Sequence, residues 1–483
     1  LDPKKITEQQ LLGSNQTQRR RERADDRRQQ KREGAITKRR RASPPLPEEE
    51  AEGGQERLPH EWNEEELRRA VTGIMELPTR GVLPHLRKLR QLLSLEDPPI
   101  QNALDLGVAP HLAHLLTAPD DTLRIEAAWC LTNVASGTSE QTQAVLDCAP
   151  QLISLLGCRN PALQEQALWA LGNVAGDNPE FRRILLANGA VLPVVRLLSA
   201  PGAVARTAAW ALSNLARGEG TSARPFAEAG AFPVLLSLLS APAGDDALAA
   251  EAAWALAFLT AREDAYVDQL VAAGAAAPLV AALDRSGGRE PFATPALRAL
   301  GNLASGPDRW QEALLAQPRF LPALLNALNA DPIQQRALAK EAAWVVSNLA
   351  SGSGDPQRDA LVVHGFLPRV VALLQCGQFD VQREVAFAAW NLAAGAGGRL
   401  LPQLAAAPGV LAAFLGLLRV PEPLVVRTAL SFVRLVCEKL PDGPQQVERL
   451  GGLEAIDDLH YGRVDESLSS AAAAIVDTFF GED

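Results

Sequence analysis

The feature that most constrains this chain is a phrase that keeps returning. It reads AAWCLTNVASG at 127–137, LWALGNVAGD at 168–177, AAWALSNLARG at 208–218 and AAWVVSNLASG at 342–352. Each copy sets a Trp four residues before an Asn: Trp129/Asn133, Trp169/Asn173, Trp210/Asn214 and Trp344/Asn348. On a helix, residues i and i+4 lie one above the other on the same face. Each copy therefore presents an indole beside a carboxamide, and a repeated pair predicts a repeated surface.

The same positions set a period. Trp129, Trp169, Trp210 and Trp254 are 40, 41 and 44 residues apart, and the phase recurs at Arg298, Trp344 and Phe387 after a further 44, 46 and 43. A period of this length without a strand pattern means an armadillo or HEAT-type solenoid. A second marker shares the period: a Gly-containing turn, then Pro, then a Leu/Val-rich run, at Gly107–Pro110, Gly189–Pro193, Gly230–Pro233, Gly274–Pro278 and Gly365–Pro368. Gly can end one helix in a left-handed conformation, and Pro is tolerated in the first turn of the next. Each unit thus reads as short helix, sharp turn, middle helix, loop and Trp-bearing helix, which favours armadillo over HEAT. Aromatic residues are only 5% of the chain, and Ala and Leu abound, which favours helix over sheet. The predicted fold is all-α: a right-handed superhelical solenoid of about ten armadillo repeats over 59–483, the last at about 440–483, preceded by a flexible basic arm with an acidic linker at 1–58.

Charge is divided unevenly. Of 47 Lys+Arg and 57 Asp+Glu, residues 1–43 hold 14 and 6, which leaves 33 and 51 for the remainder, a net of −18. Such an acidic body argues against nucleic acid as the ligand, since a phosphate backbone needs a positive surface. It argues for a basic partner, and the chain carries one itself in RRRERADDRRQQKREGAITKRRR at 19–41. Read alone, that run is a solvated tail or a simple nuclear localisation signal.

Enzyme is the poorest class. The chain has no Gly-rich phosphate loop, no metal-ligand spacing and no Ser/His/Asp cluster, so neither catalytic residues nor a cofactor nor a metal is expected. Five scattered Cys make neither a disulfide framework nor a zinc site and fit a reducing compartment. No apolar run reaches the length of a membrane span, so no membrane insertion is expected.

An Asn without a local partner is costly to bury, which places the ladder on a surface. Its side chain offers one acceptor and two donors, enough to pair with both main-chain groups of an extended peptide. Indoles at the repeat spacing make walls for long aliphatic side chains, and their faces attract ammonium and guanidinium groups. Carboxylates such as Glu165, Asp177, Glu341 and Glu384 would fix the charged tips. The residues read as a groove for an extended Lys/Arg-rich peptide.

A basic N-terminal segment ahead of armadillo repeats with Trp-x-x-x-Asn resembles the importin-α family of nuclear-import adaptors, over nearly the whole chain. AAWCLTNVASGTSEQT at 127–142 resembles that family's second repeat, which implies that Gly137 and Thr142 help hold the key Lys of the cargo signal. QALWALGNVAGD at 166–177 resembles the third, with Asp177 in place of the carboxylate that pairs with that Lys and Gln166 at a contact position. TAAWALSNLARG resembles the fourth, with Arg217 matching the basic residue between two cargo sites. The resemblance thus implies a major cargo site at Trp129, Asn133, Gly137, Thr142, Gln166, Trp169, Asn173, Asp177, Trp210 and Asn214.

The minor site implied by the same resemblance comprises Phe258, Arg298, Asn302, Asp308, Glu341, Trp344, Asn348, Glu384, Phe387 and Asn391. TPALRALGNLASGPD at 294–308 resembles the repeat in which the family replaces Trp by Arg, here Arg298. The chain also departs from the family. Phe258 stands where the family has Tyr, Glu251 where it has Asp, and Phe387 where it has Trp, while Trp390 is three residues out of phase. Losing the indole at 387 should weaken that slot. Phe387 and the FGED ending lean toward a divergent plant-type member.

The arm resembles the family's importin-β-binding segment, which implies roles for Arg19, Arg20, Arg21, Arg27, Arg28, Lys31 and Arg32. Its Lys38, Arg39, Arg40 and Arg41 cluster would fold back into the chain's own groove as a pseudo-cargo. The partners so implied are nuclear-localisation-signal peptides, importin-β and, at the last repeat, an export receptor, with shuttling between cytoplasm and nucleus. The rival reading is an armadillo scaffold of adhesion or signalling type with its own localisation signal at 38–41. Such scaffolds use a basic groove for acidic peptides, which the net of −18 opposes.

Overall fold

A computed structural model describes residues 62–483 except 219, 241–244, 290–291, 353, 462–464 and 482–483. The arm and linker at 1–58, with every basic residue assigned to them, lie outside the described residues. The described chain is all-α. It divides into two compact units, 62–266 and 267–483, each a stack of helical repeats.

The repeats are organised by their long third helices. These are α1 (Asp121–Val134), α2 (Pro161–Asp177), α3 (Ala203–Ala216) and α4 (Asp246–Leu259) in the first unit. In the second they are α5 (Ala293–Ala304), α6 (Arg336–Ala350), α7 (Phe379–Ala394) and α8 (Pro423–Lys439). Within each unit the most extensive packing is between successive third helices. Ala is the residue that allows this: Ala127, Ala128, Ala167, Ala208, Ala209, Ala342 and Ala388 are all buried. A methyl side chain lets neighbouring backbones approach closely, and Ala is also the best helix former.

Local signals start and stop the helices. The Asp120 carboxylate accepts the Thr122 N–H at 2.8 Å and caps α1. Asn160 caps α2 from the amides of Ala162 and Leu163, with Pro161 in the first turn. Thr138 and Gln141 form a reciprocal capping box ahead of Ser139–Leu146. The turns between the first two helices of a repeat use Gly107, Gly189, Gly230, Gly274 and Gly365, all at φ between 73° and 83°. That region is open to Gly at no steric cost. In each case the predicted Pro lies in the first turn of the following helix.

Candidate functional site

In the first unit the ladder is built by each third helix docking on the one before it. Asn173 Nδ2 donates to the Thr132 carbonyl at 3.0 Å, and Asn214 Nδ2 donates to the Gly172 carbonyl at 3.0 Å. Asn133, in the first copy, donates to Ser94 Oγ at 3.0 Å. The second unit repeats the arrangement: Asn348 Nδ2 to the Gly301 carbonyl at 3.0 Å, and Asn391 Nδ2 to the Ser347 carbonyl at 2.9 Å. The Gly301 and Ser347 carbonyls also accept their own helix bonds, from the N–H groups of Ser305 and Ser351. A carbonyl oxygen has two lone pairs, and the amide takes the second.

The indoles use the same floor. A Cβ on Gly172 would overlap the six-membered ring of Trp210, and a Cβ on Gly301 would overlap that of Trp344. At Gly172 and Gly301 the residue just before the Asn is therefore a seat: the next helix sets its Trp upon that residue and hydrogen-bonds its Asn to that residue's carbonyl. Thr132 and Ser347 accept the same Asn bond, and Ser213 and Ala257 share the phase. All are buried.

This differs from a ladder lying wholly on a surface. Asn133, Asn173, Asn214, Asn302, Asn348 and Asn391 are buried, as are Trp129, Trp210, Trp344 and Phe387; Trp169 and Trp254 are half-buried. The burial of the Asn side chains is tolerable because the chain supplies acceptors one repeat away. In the four inter-repeat bonds to carbonyls, one amide N–H is thus committed to the fold. Trp129 also carries the Arg90 guanidinium 4.5 Å from its ring centroid, and Arg90 pairs with Glu126 at 2.5 Å.

Around α2 the predicted acidic contact is held from two repeats. Asp177 Oδ1 accepts Ser139 Oγ at 2.5 Å and Asn178 Nδ2 at 2.9 Å. Two donors on one oxygen fix the carboxylate's orientation. Gly137 packs beneath Gln141, and Thr142 Oγ1 lies 3.3 Å from the Ala135 carbonyl and 2.8 Å from the Thr138 carbonyl, which shapes the turn after α1. Gln166 is buried, and its Oε1 has no hydrogen-bond partner among the described residues; the same holds for Trp169 Nε1. Arg182, buried and donating to the Ala175 carbonyl at 2.8 Å, has its pKa lowered to about 10. Burial is the chief cause, nearby Arg217 adds to it, and Asp177 opposes it.

At α4 the pattern changes. Phe258 occupies the Asn phase and stacks on Trp254 with centroids 5.8 Å apart, while Arg217 lies 5.9 Å from the Phe258 ring. In the second unit, Arg298 replaces the indole and pairs with Glu341 at 2.5 Å, so a predicted cargo carboxylate is already matched by a cation of the preceding repeat. Asp308 starts the helix Asp308–Leu315. Glu384 pairs with Arg383 at 3.1 Å, and Arg383 also reaches Glu422 at 3.4 Å.

Sequence reasoning missed the seats and the two residues that orient Asp177. A Gly inside a strongly helical pattern was the available signal for Gly172 and Gly301, since it costs helix stability unless something packs against it. Ser139 and Asn178 carried no signal of their own.

The armadillo/beta-catenin-like repeat family matches residues 96–136, 138–176 and 354–394, and the HEAT-like repeat family matches 161–215. The chain is 33% identical over 448 residues to importin subunit alpha-9 of Arabidopsis thaliana, which covers 87% of this chain and 83% of that one. It is 32% identical over 437 residues to importin subunit alpha-2 of Oryza sativa subsp. japonica, covering 87% and 82%. Among solved structures, an engineered protein superposes with a TM-score of 0.77 at 27% identity, over 86% of this chain and all of its own. With armadillo-repeat matches in three stretches and relatives of this identity and extent, the chain belongs to the importin-α family.

Proposed function

We propose that this protein is a nuclear import adaptor that binds Lys/Arg-rich localisation signals in extended form. Family membership supports the general role of import adaptor. The finer reading rests chiefly on Asp177, an acid oriented by donors from two repeats beside a Trp/Asn series. A carboxylate held in this way suits the ammonium of one ligand Lys. The buried Gln166 Oε1 and Trp169 Nε1, without hydrogen-bond partners among the described residues, lie on the same helix about three and two turns before Asp177. The main cargo site in this reading is Trp129, Asn133, Gly137, Thr142, Gln166, Trp169, Asn173, Asp177, Trp210 and Asn214. The second site runs through Phe258, Arg298, Asn302, Asp308, Glu341, Trp344, Asn348, Glu384, Phe387 and Asn391.

In this reading the basic arm recruits importin-β, and its 38–41 cluster competes with cargo. A tethered ligand acts at an effective concentration of about millimolar for a short flexible linker, so a weak pseudo-cargo suffices. Importin-β and cargo would then favour each other by linkage. The last repeat would engage an export receptor as the protein shuttles between cytoplasm and nucleus.

The test is titration of a labelled Lys/Arg-rich signal peptide against the full chain and against the chain lacking 1–58. Saturable binding that tightens on deletion is expected. Absence of binding to both would overturn the adaptor reading, and equal affinities would remove the autoinhibition. Asp177→Lys sets a like charge where a ligand Lys docks and should abolish binding at the main site.

A further inference from the structure

Trp390 breaks the rule that α1 to α6 obey. In α1 to α6 the residue in the seat phase is Thr132, Gly172, Ser213, Ala257, Gly301 or Ser347, small and buried in every case. In α7 that residue is Trp390, and it is half-buried. A ring of this size cannot serve as the floor for another ring. The next helix carries none: 43 residues beyond Phe387, α8 has Leu430, and where the series has Asn it has Arg434. The indole expected from α8 is supplied instead by α7 itself. Trp390 therefore puts an indole in the seat phase of α7, where α8 brings none.

The ligand charge follows from the proposed peptide-binding function. Phe387 lies one turn before Trp390 on the same side of α7, and Glu384 lies one turn before Phe387. Glu384 and Glu422 share the single guanidinium of Arg383, at 3.1 and 3.4 Å. These carboxylates and Arg383 stand near the starts of α7 and α8, about two turns before the Trp390 indole, while in α8 Arg434 of the Asn phase pairs with Glu438. Indole faces attract cations, and carboxylates fix their tips.

We infer that Trp390 is a specificity-determining residue of the second ladder. Together with Phe387 it forms the terminal slot, which takes the aliphatic stem and cationic head of one Lys or Arg of an extended basic peptide. The inference rests on the proposed peptide-binding function and extends it to a residue outside the phase of the repeated motif.

The test uses the full chain carrying Asp177→Lys, so that residual binding of a labelled Lys/Arg-rich peptide reports the second ladder. In that background, Trp390→Ser should weaken the residual binding about two- to tenfold, and Trp390→Phe should retain most of it. Thermal melting of each variant separates lost contact from lost folding. Equal residual affinity for all three chains overturns the inference, as does a Trp390→Phe variant that melts normally yet binds as weakly as Trp390→Ser. Failure of the adaptor reading looks different: the chain without Asp177→Lys, and the same chain lacking 1–58, would then bind no peptide at all.

Discussion

The Trp210 indole occupies the volume that a side chain on Gly172 would need. Intrinsic propensity favours Ala over Gly inside a helix by about 1 kcal/mol. Overpacking a filled site costs about 1–3 kcal/mol. The second effect should win, so Gly172→Ala is expected to lower the melting temperature and expose amides of α2 and α3 to hydrogen exchange. Gly301→Ala beneath Trp344 should behave alike. A stabilised Gly172→Ala would mean that the ring does not sit there.

The inter-repeat amide bonds make a second prediction. Asn214→Ala removes a donor from a carbonyl that belongs to a helix, and a cost of about 0.5–1.5 kcal/mol is expected. Asn214→Asp turns a carboxylate toward that carbonyl at a residue 4% exposed, which is worse. Chemical denaturation should rank wild type above Ala and Ala above Asp. The reverse order would remove the bond from the account.

Arg298 and Glu341 form a pair 2.5 Å apart in which the Glu is 6% exposed. Removing the cation alone leaves a buried carboxylate, which costs up to about 3–5 kcal/mol, discounted here because the Arg is partly in solvent. Arg298→Ala should therefore be less stable than the double variant Arg298→Ala/Glu341→Ala. A double-mutant cycle measures the difference, and additive losses would show no coupling.

Ser139 and Asn178 are positioning residues for Asp177. Ser139→Ala should weaken binding of a Lys-bearing signal peptide by about two- to tenfold, the range of an ordinary net hydrogen bond of about 0.5–1.5 kcal/mol. A peptide whose key Lys is replaced by norleucine should lose nothing further in the variant. A purely structural role for Ser139 would lower both peptides' affinity equally.

The acid limb of stability offers a separate check. Hydrogen bonds from Arg309, and then from Trp310 Nε1, hold the Asp268 carboxyl below its usual pKa. The backbone N–H groups of Gln334, then Ile333, do the same for Asp331. A depressed folded-state pKa contributes stability that is complete above the unfolded carboxylate pKa, about 3.9, and is lost as pH falls through the folded value. Melting temperature followed from pH 6 downward should fall less steeply in Asp268→Asn than in wild type.

Much of this architecture was legible from spacing. The 40- to 46-residue recurrence of one helix phase carried the repeat class, and the Gly–Pro markers carried the turns, because left-handed Gly and first-turn Pro are local requirements. The placement of Asn was not legible. Its burial depends on a carbonyl 41 to 47 residues away, as at Asn173 and Asn348, and no local pattern announces that partner.

Ring and floor belong to different repeats. A Trp such as Trp210 or Trp344 is contributed by one helix, while the small residue beneath it, Gly172 or Gly301, is contributed by the helix before. The module that can be copied or exchanged is consequently not the repeat as counted along the sequence. It is the half of one repeat joined to the half of the next, with its seam inside the third helix. A recombination point drawn at the loops would separate Trp210 from Gly172 and Trp344 from Gly301. Substitutions at the two positions should accordingly be inherited as pairs.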